Sequence, residues 1–146
     1  MEALSLEVSR TAGELRALLG RLSRRLRQTG VVGEMTLSQA SVLSLLEREG
    51  PATQTVLATK ERISPQSMGT ILVSLETLGL VSRKHDPTDG RRLVISPTEA
   101  GLQIIRGARR QKEERLAQAL ADNFTNEELQ VLMAALPLLE RLARVI

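Results

Sequence analysis

The stretch Leu75-Glu76-Thr77-Leu78-Gly79-Leu80-Val81-Ser82-Arg83-Lys84-His85, followed by Asp86-Pro87-Thr88-Asp89-Gly90-Arg91-Arg92 and Leu93-Val94-Ile95, decides the fold. Gly79 can take the left-handed conformation that ends a helix, and Leu80 lies where a Schellman arrangement wants an apolar residue to pack back on Leu75. Residues 81–85 and 93–95 read as two strands. The seven residues between them, with Pro87 and Gly90 at the bends, read as a turn with a charged tip. The result is a β-hairpin attached directly to the end of a helix.

Working upstream, Ser64-Pro65 opens that helix, because Ser caps and Pro fits the first helical position. Met68, Ile71, Leu72, Leu75 and Leu78 supply its apolar stripe. A shorter helix over Thr53 to Lys60, carrying Val56, Leu57 and Ala58, precedes it across the break Glu61-Arg62-Ile63. Two short helices joined by a tight turn have the outline of a helix-turn-helix. With the hairpin as a wing, its arginines can follow phosphates or enter the narrow minor groove.

Longer helices flank this unit. Leu15, Leu18, Leu19, Leu22 and Leu26 recur at helical spacing in a first helix ending near Gly30. Thr36 and Gln39 have capping-box spacing for a second, which carries Val42, Leu43, Leu45 and Leu46 and is stopped by Gly50-Pro51. Beyond the hairpin, Ser96 with Glu99 has capping-box spacing and Pro97 suits the first turn, with Thr98 as a rival cap. That helix runs through Leu102, Ile105, Ala108, Leu116 and Leu120 to about Ala121. Thr125 with Glu128 caps a strongly apolar last helix, in which Pro137 is expected to make a kink.

The expected fold is therefore mainly α (α+β), a winged helix-turn-helix over about residues 36–97. Long N- and C-terminal helices, about 1–34 and 98–146, belong to the same single domain. A chain of 146 residues suits one domain and leaves no room for a separate catalytic one.

Composition closes off several chemistries. With 42% hydrophobic and 25% charged residues the chain has material for a core. It has no Cys, which excludes disulfides, zinc–thiolate sites and thiol redox sensing and points to the cytoplasm. No apolar run approaches the ~18 residues of a membrane span, and Met1-Glu2-Ala3-Leu4-Ser5 lacks the basic start of a secretory signal. Phe124 is the sole aromatic residue, so base stacking on aromatic platforms is not expected. Residues 1–30 hold six Arg against three Glu within a net charge of +3, which fits contact with a polyanion through a few placed cations.

Nothing suggests an enzyme. The one His, His85, stands in a strand beside Lys84 and Asp86, without a positioned acid, base, nucleophile or metal set around it. There is no Gly-rich phosphate loop and no cluster of metal ligands, so neither a cofactor nor a metal is expected.

In the run Leu75 to Arg83, the segment Asp86 to Arg92, and Thr98-Glu99-Ala100-Gly101, the sequence resembles the MarR family of bacterial winged-helix transcription regulators, over nearly the whole chain. The resemblance implies homodimers whose first and last helices interlock, and double-stranded DNA as the partner. The recognition helix would enter the major groove and the wing the minor groove. It also implies a repressor released by a small anionic or phenolic effector, with no membrane partner. By the same resemblance Ser64, Gln66, Ser67, Thr70 and Ser74 lie on the recognition helix, facing bases or phosphates. Arg91 matches the arginine that enters the minor groove, Asp89 is placed to brace it, and Arg83, Lys84 and Arg92 are phosphate contacts.

Three features depart from the family pattern. The recognition helix is uncharged from Ser64 to Leu75, where many members carry Arg or Lys at the positions of Thr70 and Ser74. Phosphate contact would then lean on Lys60, Arg62, Arg83 and the wing. Gly69 sits inside the helix at a cost of roughly 1 kcal/mol against Ala, which would suit a close approach to DNA or to a neighbouring helix. Pro97 replaces the usual Leu before Thr98. An Arg of the first helix, such as Arg10 or Arg16, is available for an effector carboxylate, but the sequence assigns no ligand site. The alternative reading is a winged-helix protein-interaction module without specific DNA binding.

Overall fold

Capping explains where most of the helices begin. In a computed structural model describing residues 2–29 and 35–146, the elements run α1 (Glu2–Thr29), α2 (Leu37–Glu49), β1 (Ala52–Thr53), α3 (Gln54–Glu61), α4 (Pro65–Thr77), β2 (Val81–His85), β3 (Leu93–Pro97), α5 (Glu99–Asn123) and α6 (Asn126–Val145). Gly30, expected to close the first helix, lies outside the described residues. Thr36 and Gln39 form a full capping box on α2, with the Gln39 amide N–H donating to Thr36 Oγ1 at 3.2 Å and the Thr36 N–H to Gln39 Oε1 at 3.0 Å. Thr125 and Glu128 repeat the device on α6. Gly50, at φ 85°, ends α2 as expected.

The expected order of elements is present, with two differences. Pairing of Ala52 and Thr53 with Ile95 and Val94 makes a third strand, giving an antiparallel sheet ordered β1-β3-β2. The second concerns the start of α5. Ser96 and Pro97 continue β3, Pro97 standing opposite Val81, so Thr98 is the cap and accepts the Gly101 N–H at 3.1 Å. Sheet pairing prevails over the capping-box spacing of Ser96. Helix α6 runs as one element through Pro137.

The buried residues gather in the winged unit. Leu43, Leu46, Leu57, Met68, Leu72, Leu75 and Ile95 are all at or below 1% exposure. They lock α2, α3 and α4 against the sheet. Leu80 and Val81 join this cluster, so the apolar contact that completes the end of α4 is made. Gly101 is required here, because a Cβ on it would overlap the Leu80 carbonyl oxygen and press on Leu43 Cδ1. The flanking helices differ: α6 has no buried residue, and Leu18, Leu19 and Leu22 of α1 stand exposed.

Candidate nucleic-acid interface

Helix α4 is held from both ends. At its start, Ser64 Oγ accepts the Ser67 N–H at 3.1 Å and donates to Ser67 Oγ at 2.9 Å. The side chain of Gln54, first residue of α3, reaches across and donates Nε2 to the Pro65 carbonyl at 2.7 Å. A Cβ on Gly69 would come within 2.9 Å of that same nitrogen. The glycine therefore makes room for a neighbouring helix. At its far end the Leu80 N–H donates to the Leu75 carbonyl at 2.9 Å across Gly79, at φ 72°, the expected Schellman bond.

A hydroxyl of α5's cap ties this end down. Thr98 Oγ1 donates to the Gly79 carbonyl at 2.7 Å, and the Thr98 N–H donates to the Leu80 carbonyl at 3.0 Å. The end of α4, the root of the wing and the start of α5 are thus joined through one threonine.

Gln66, Ser67 and Thr70 are exposed on α4, and Ser74 is half-buried. Their hydroxyls are partly committed. Thr70 Oγ1 donates to the Gln66 carbonyl at 3.3 Å and Ser74 Oγ to the Thr70 carbonyl at 3.2 Å. Among the sequence-expected cations two are engaged within the protein. Arg83 Nε donates to Glu76 Oε2 at 2.9 Å, fastening β2 to the last turn of α4, and Lys60 pairs with Glu49 of α2. Arg62, Lys84, Arg91 and Arg92 are exposed and make no ion pair with any described residue. Arg62 caps α3 in the left-handed region, φ 56°, within the turn between the two helices.

The wing tip is shaped by its carboxylates. Asp86 Oδ1 accepts from both the N–H and the hydroxyl of Thr88, at 2.9 and 2.8 Å. These bonds, the Thr88 N–H first, hold its carboxyl below the usual carboxylate range. The brace expected from Asp89 acts on the backbone: its Oδ1 accepts the Arg91 N–H at 3.1 Å. The Asp86 N–H donates to the Arg92 carbonyl at 2.8 Å, and His85 Nδ1 donates to the Gly90 carbonyl at 2.9 Å. The guanidinium groups of Arg91 and Arg92 remain outside this network and line a groove with Thr53–Val56 at the start of α3.

A second charged region lies behind the winged unit. Arg27, Arg48, Arg109 and Lys112, with Ser41 and Ser44, line a cavity of about 300 Å³ bounded by α1, α2 and α5. Beside it Glu47 of α2, 11% exposed, accepts from Arg109 Nη2 at 2.5 Å and lies 3.6 Å from Arg106 Nε. The Arg109 hydrogen bond, assisted by Arg106, pulls the Glu47 carboxyl below its ordinary range, and Glu47 raises Arg109 in turn. Of the first-helix cations, Arg10 pairs with Glu14 at 2.9 Å, and the one lining this cavity is Arg27.

Among the described residues no three His, Cys, Asp or Glu side chains group as a metal site, and no helix is long and apolar enough to cross a membrane.

Known proteins share this arrangement. The model of the MarR family matches residues 35–93, from the start of α2 to the wing. An HTH-type transcriptional regulator of Mycobacterium tuberculosis is 37% identical over 131 residues, covering 90% of this chain and 91% of its own. The structure of a MarR family protein from Bacillus stearothermophilus superposes with a TM-score of 0.76 at 26% identity, over 94% of this chain and 95% of that one. A Staphylococcus aureus MepR mutant bound to an oligodeoxyribonucleotide shares the fold at a TM-score of 0.66 and 22% identity, over 93% and 98% of the two chains. From the capped helix α4, the cationic hairpin behind it and these likenesses together, the chain belongs to the MarR family of DNA-binding transcriptional regulators.

Proposed function

We propose that the protein is a homodimeric repressor that grips a pseudo-palindromic operator and lets go when a small anion binds. The observation that carries this reading is the wing, whose Arg91 and Arg92 are exposed and form no salt bridge with any described residue, while Arg83 and Lys60 near α4 are paired. Unpaired guanidinium groups beside an exposed recognition helix suit phosphate and minor-groove contact. The oligodeoxyribonucleotide bound by the MepR mutant supports DNA as the partner.

Dimerisation is supported by the apolar faces that one protomer leaves uncovered. Leu132, Met133, Leu136 and Leu139 on α6 and Leu18, Leu19 and Leu22 on α1 are all at least 38% exposed. A second copy would cover them, and two-fold symmetry would place the half-sites about 10 bp apart. The cavity lined by Arg27, Arg48, Arg109 and Lys112 suits an anionic effector. An anion there would compete with Glu47 for Arg109, loosening the tie between α2 and α5.

The test is enrichment of bound fragments from random duplex DNA, followed by footprinting and sedimentation. The expected result is one dimer protecting two related half-sites, about 10 bp centre to centre. Enrichment of no sequence would refute operator binding and favour a winged-helix interaction module.

A further inference from the structure

The outermost line of α4 carries no charge and includes an exposed valine that its position does not explain. At about 100° per residue, Gln66, Thr70, Val73 and Thr77 fall within an arc of about 60° opposite the buried stripe of Met68, Leu72 and Leu75. Val73 is 57% exposed and takes no part in the core. Thr77 Oγ1 donates to the Val73 carbonyl at 2.9 Å, and Thr70 Oγ1 to the Gln66 carbonyl. Both threonines have committed their hydroxyl protons to their own helix, leaving a methyl group and an acceptor oxygen as what they offer outward. Of the three polar side chains, that of Gln66 makes no hydrogen bond to a described residue and brings both donors and an acceptor.

Beyond the helix's edges the charge is positive. Arg62 stands in the turn before it and Lys84, Arg91 and Arg92 in the wing after it, all exposed and in no ion pair with a described residue. A methyl-bearing ridge between unpaired cations matches a major groove, whose walls are phosphate and where one pyrimidine offers an apolar group, the C5-methyl of thymine. We infer that this protein selects its operator largely through thymine methyl groups packed against Thr70, Val73 and Thr77, with Gln66 supplying the hydrogen-bonded base contact. The inference rests on the reading of α4 as the helix that enters the major groove.

The test uses the full-length protein and the duplex enriched from a random pool, with each thymine replaced in turn by deoxyuridine, which pairs identically but lacks the methyl. Affinity should fall about fourfold at one or more thymines of each half-site, the equivalent of one buried methylene. Val73→Ser, an exposed substitution checked for folding by circular dichroism, should weaken binding to the thymine duplex and lose most of the deoxyuridine effect at its contact position. If every deoxyuridine duplex binds as tightly as the parent while binding stays salt-dependent, methyl readout is wrong and DNA binding stands. An unchanged deoxyuridine penalty in Val73→Ser would overturn the role of that residue and with it the inference. Absence of any enriched duplex would overturn the operator reading as well.

Discussion

Replacing Thr98 by valine would remove one oxygen atom and little volume, yet that atom bonds the start of α5 to the end of α4. Its hydroxyl accepts the Gly101 N–H at 3.1 Å as the cap of α5 and donates to the Gly79 carbonyl at 2.7 Å, at the end of α4. Losing a threonine cap costs about 1 kcal/mol. Losing a hydrogen bond to a half-open carbonyl costs about another 1 kcal/mol. Thr98→Val should therefore destabilise the protein by about 2 kcal/mol, whereas Thr98→Ser, which keeps the oxygen, should lose well under half of that. Urea unfolding followed by circular dichroism at fixed protein concentration measures both, the concentration being held because association would shift the midpoint. DNA affinity should fall in the valine variant even where the protein is fully folded, because the same atom holds the end of α4 to the start of α5, directly after the wing. Stability of Thr98→Val within about 0.5 kcal/mol of the parent would refute the claim that this hydroxyl joins the elements.

Three further outcomes follow from the geometry. Gln66→Ala should relax preference at particular bases by about 1 to 3 kcal/mol, read as the spread of affinities over operator variants, with folding unchanged. Glu47 titrates below its ordinary range because Arg109 and Arg106 favour its carboxylate. Its contribution is thus complete above the unfolded-state carboxylate pKa, about 4.3, and is lost as pH falls through the lower folded value. Glu47→Gln should lower stability near neutral pH and flatten this part of the acid limb in pH-dependent unfolding. Gly69→Ala should gain helix propensity but displace Gln54 from the Pro65 carbonyl, so it should stabilise more in a Gln54→Ala background than in the parent. The double-mutant cycle should give a coupling of at least about 0.5 kcal/mol.

The features legible in the sequence were those that act over a few residues. Thr36 with Gln39, Ser64 with Pro65, Gly79 with Leu80 and Thr125 with Glu128 each satisfy backbone groups within one turn, so their spacing alone locates helix ends. For the start of α5 the same rule offers both Ser96 and Thr98, because pairing of Ser96 and Pro97 with Ser82 and Val81, which decides for Thr98, is a contact across the sheet that local spacing does not encode. Two residues of β1 were missed for the same reason: Ala52 and Thr53 are extended through β3, more than forty positions away.

At the site, residue types were easier to read than their pairings. Arg83 and Arg91 both read as DNA contacts, yet only the fold brings Glu76 to Arg83 and leaves Arg91 without an acid among the described residues. The reason for Gly69 lies in Gln54, which crosses it from another helix. The Glu47 to Arg109 pair joins residues 62 positions apart and carries no periodic signature.

The most direct measurement is the salt dependence of affinity for an enriched duplex, compared between the parent and Arg91→Ala. Log affinity of the parent should fall steeply and linearly with log salt. Removing one wing cation should weaken binding to all sequences alike and lower the slope by about 1. Equal affinity and an equal slope for Arg91→Ala would contradict the wing's part in gripping the duplex.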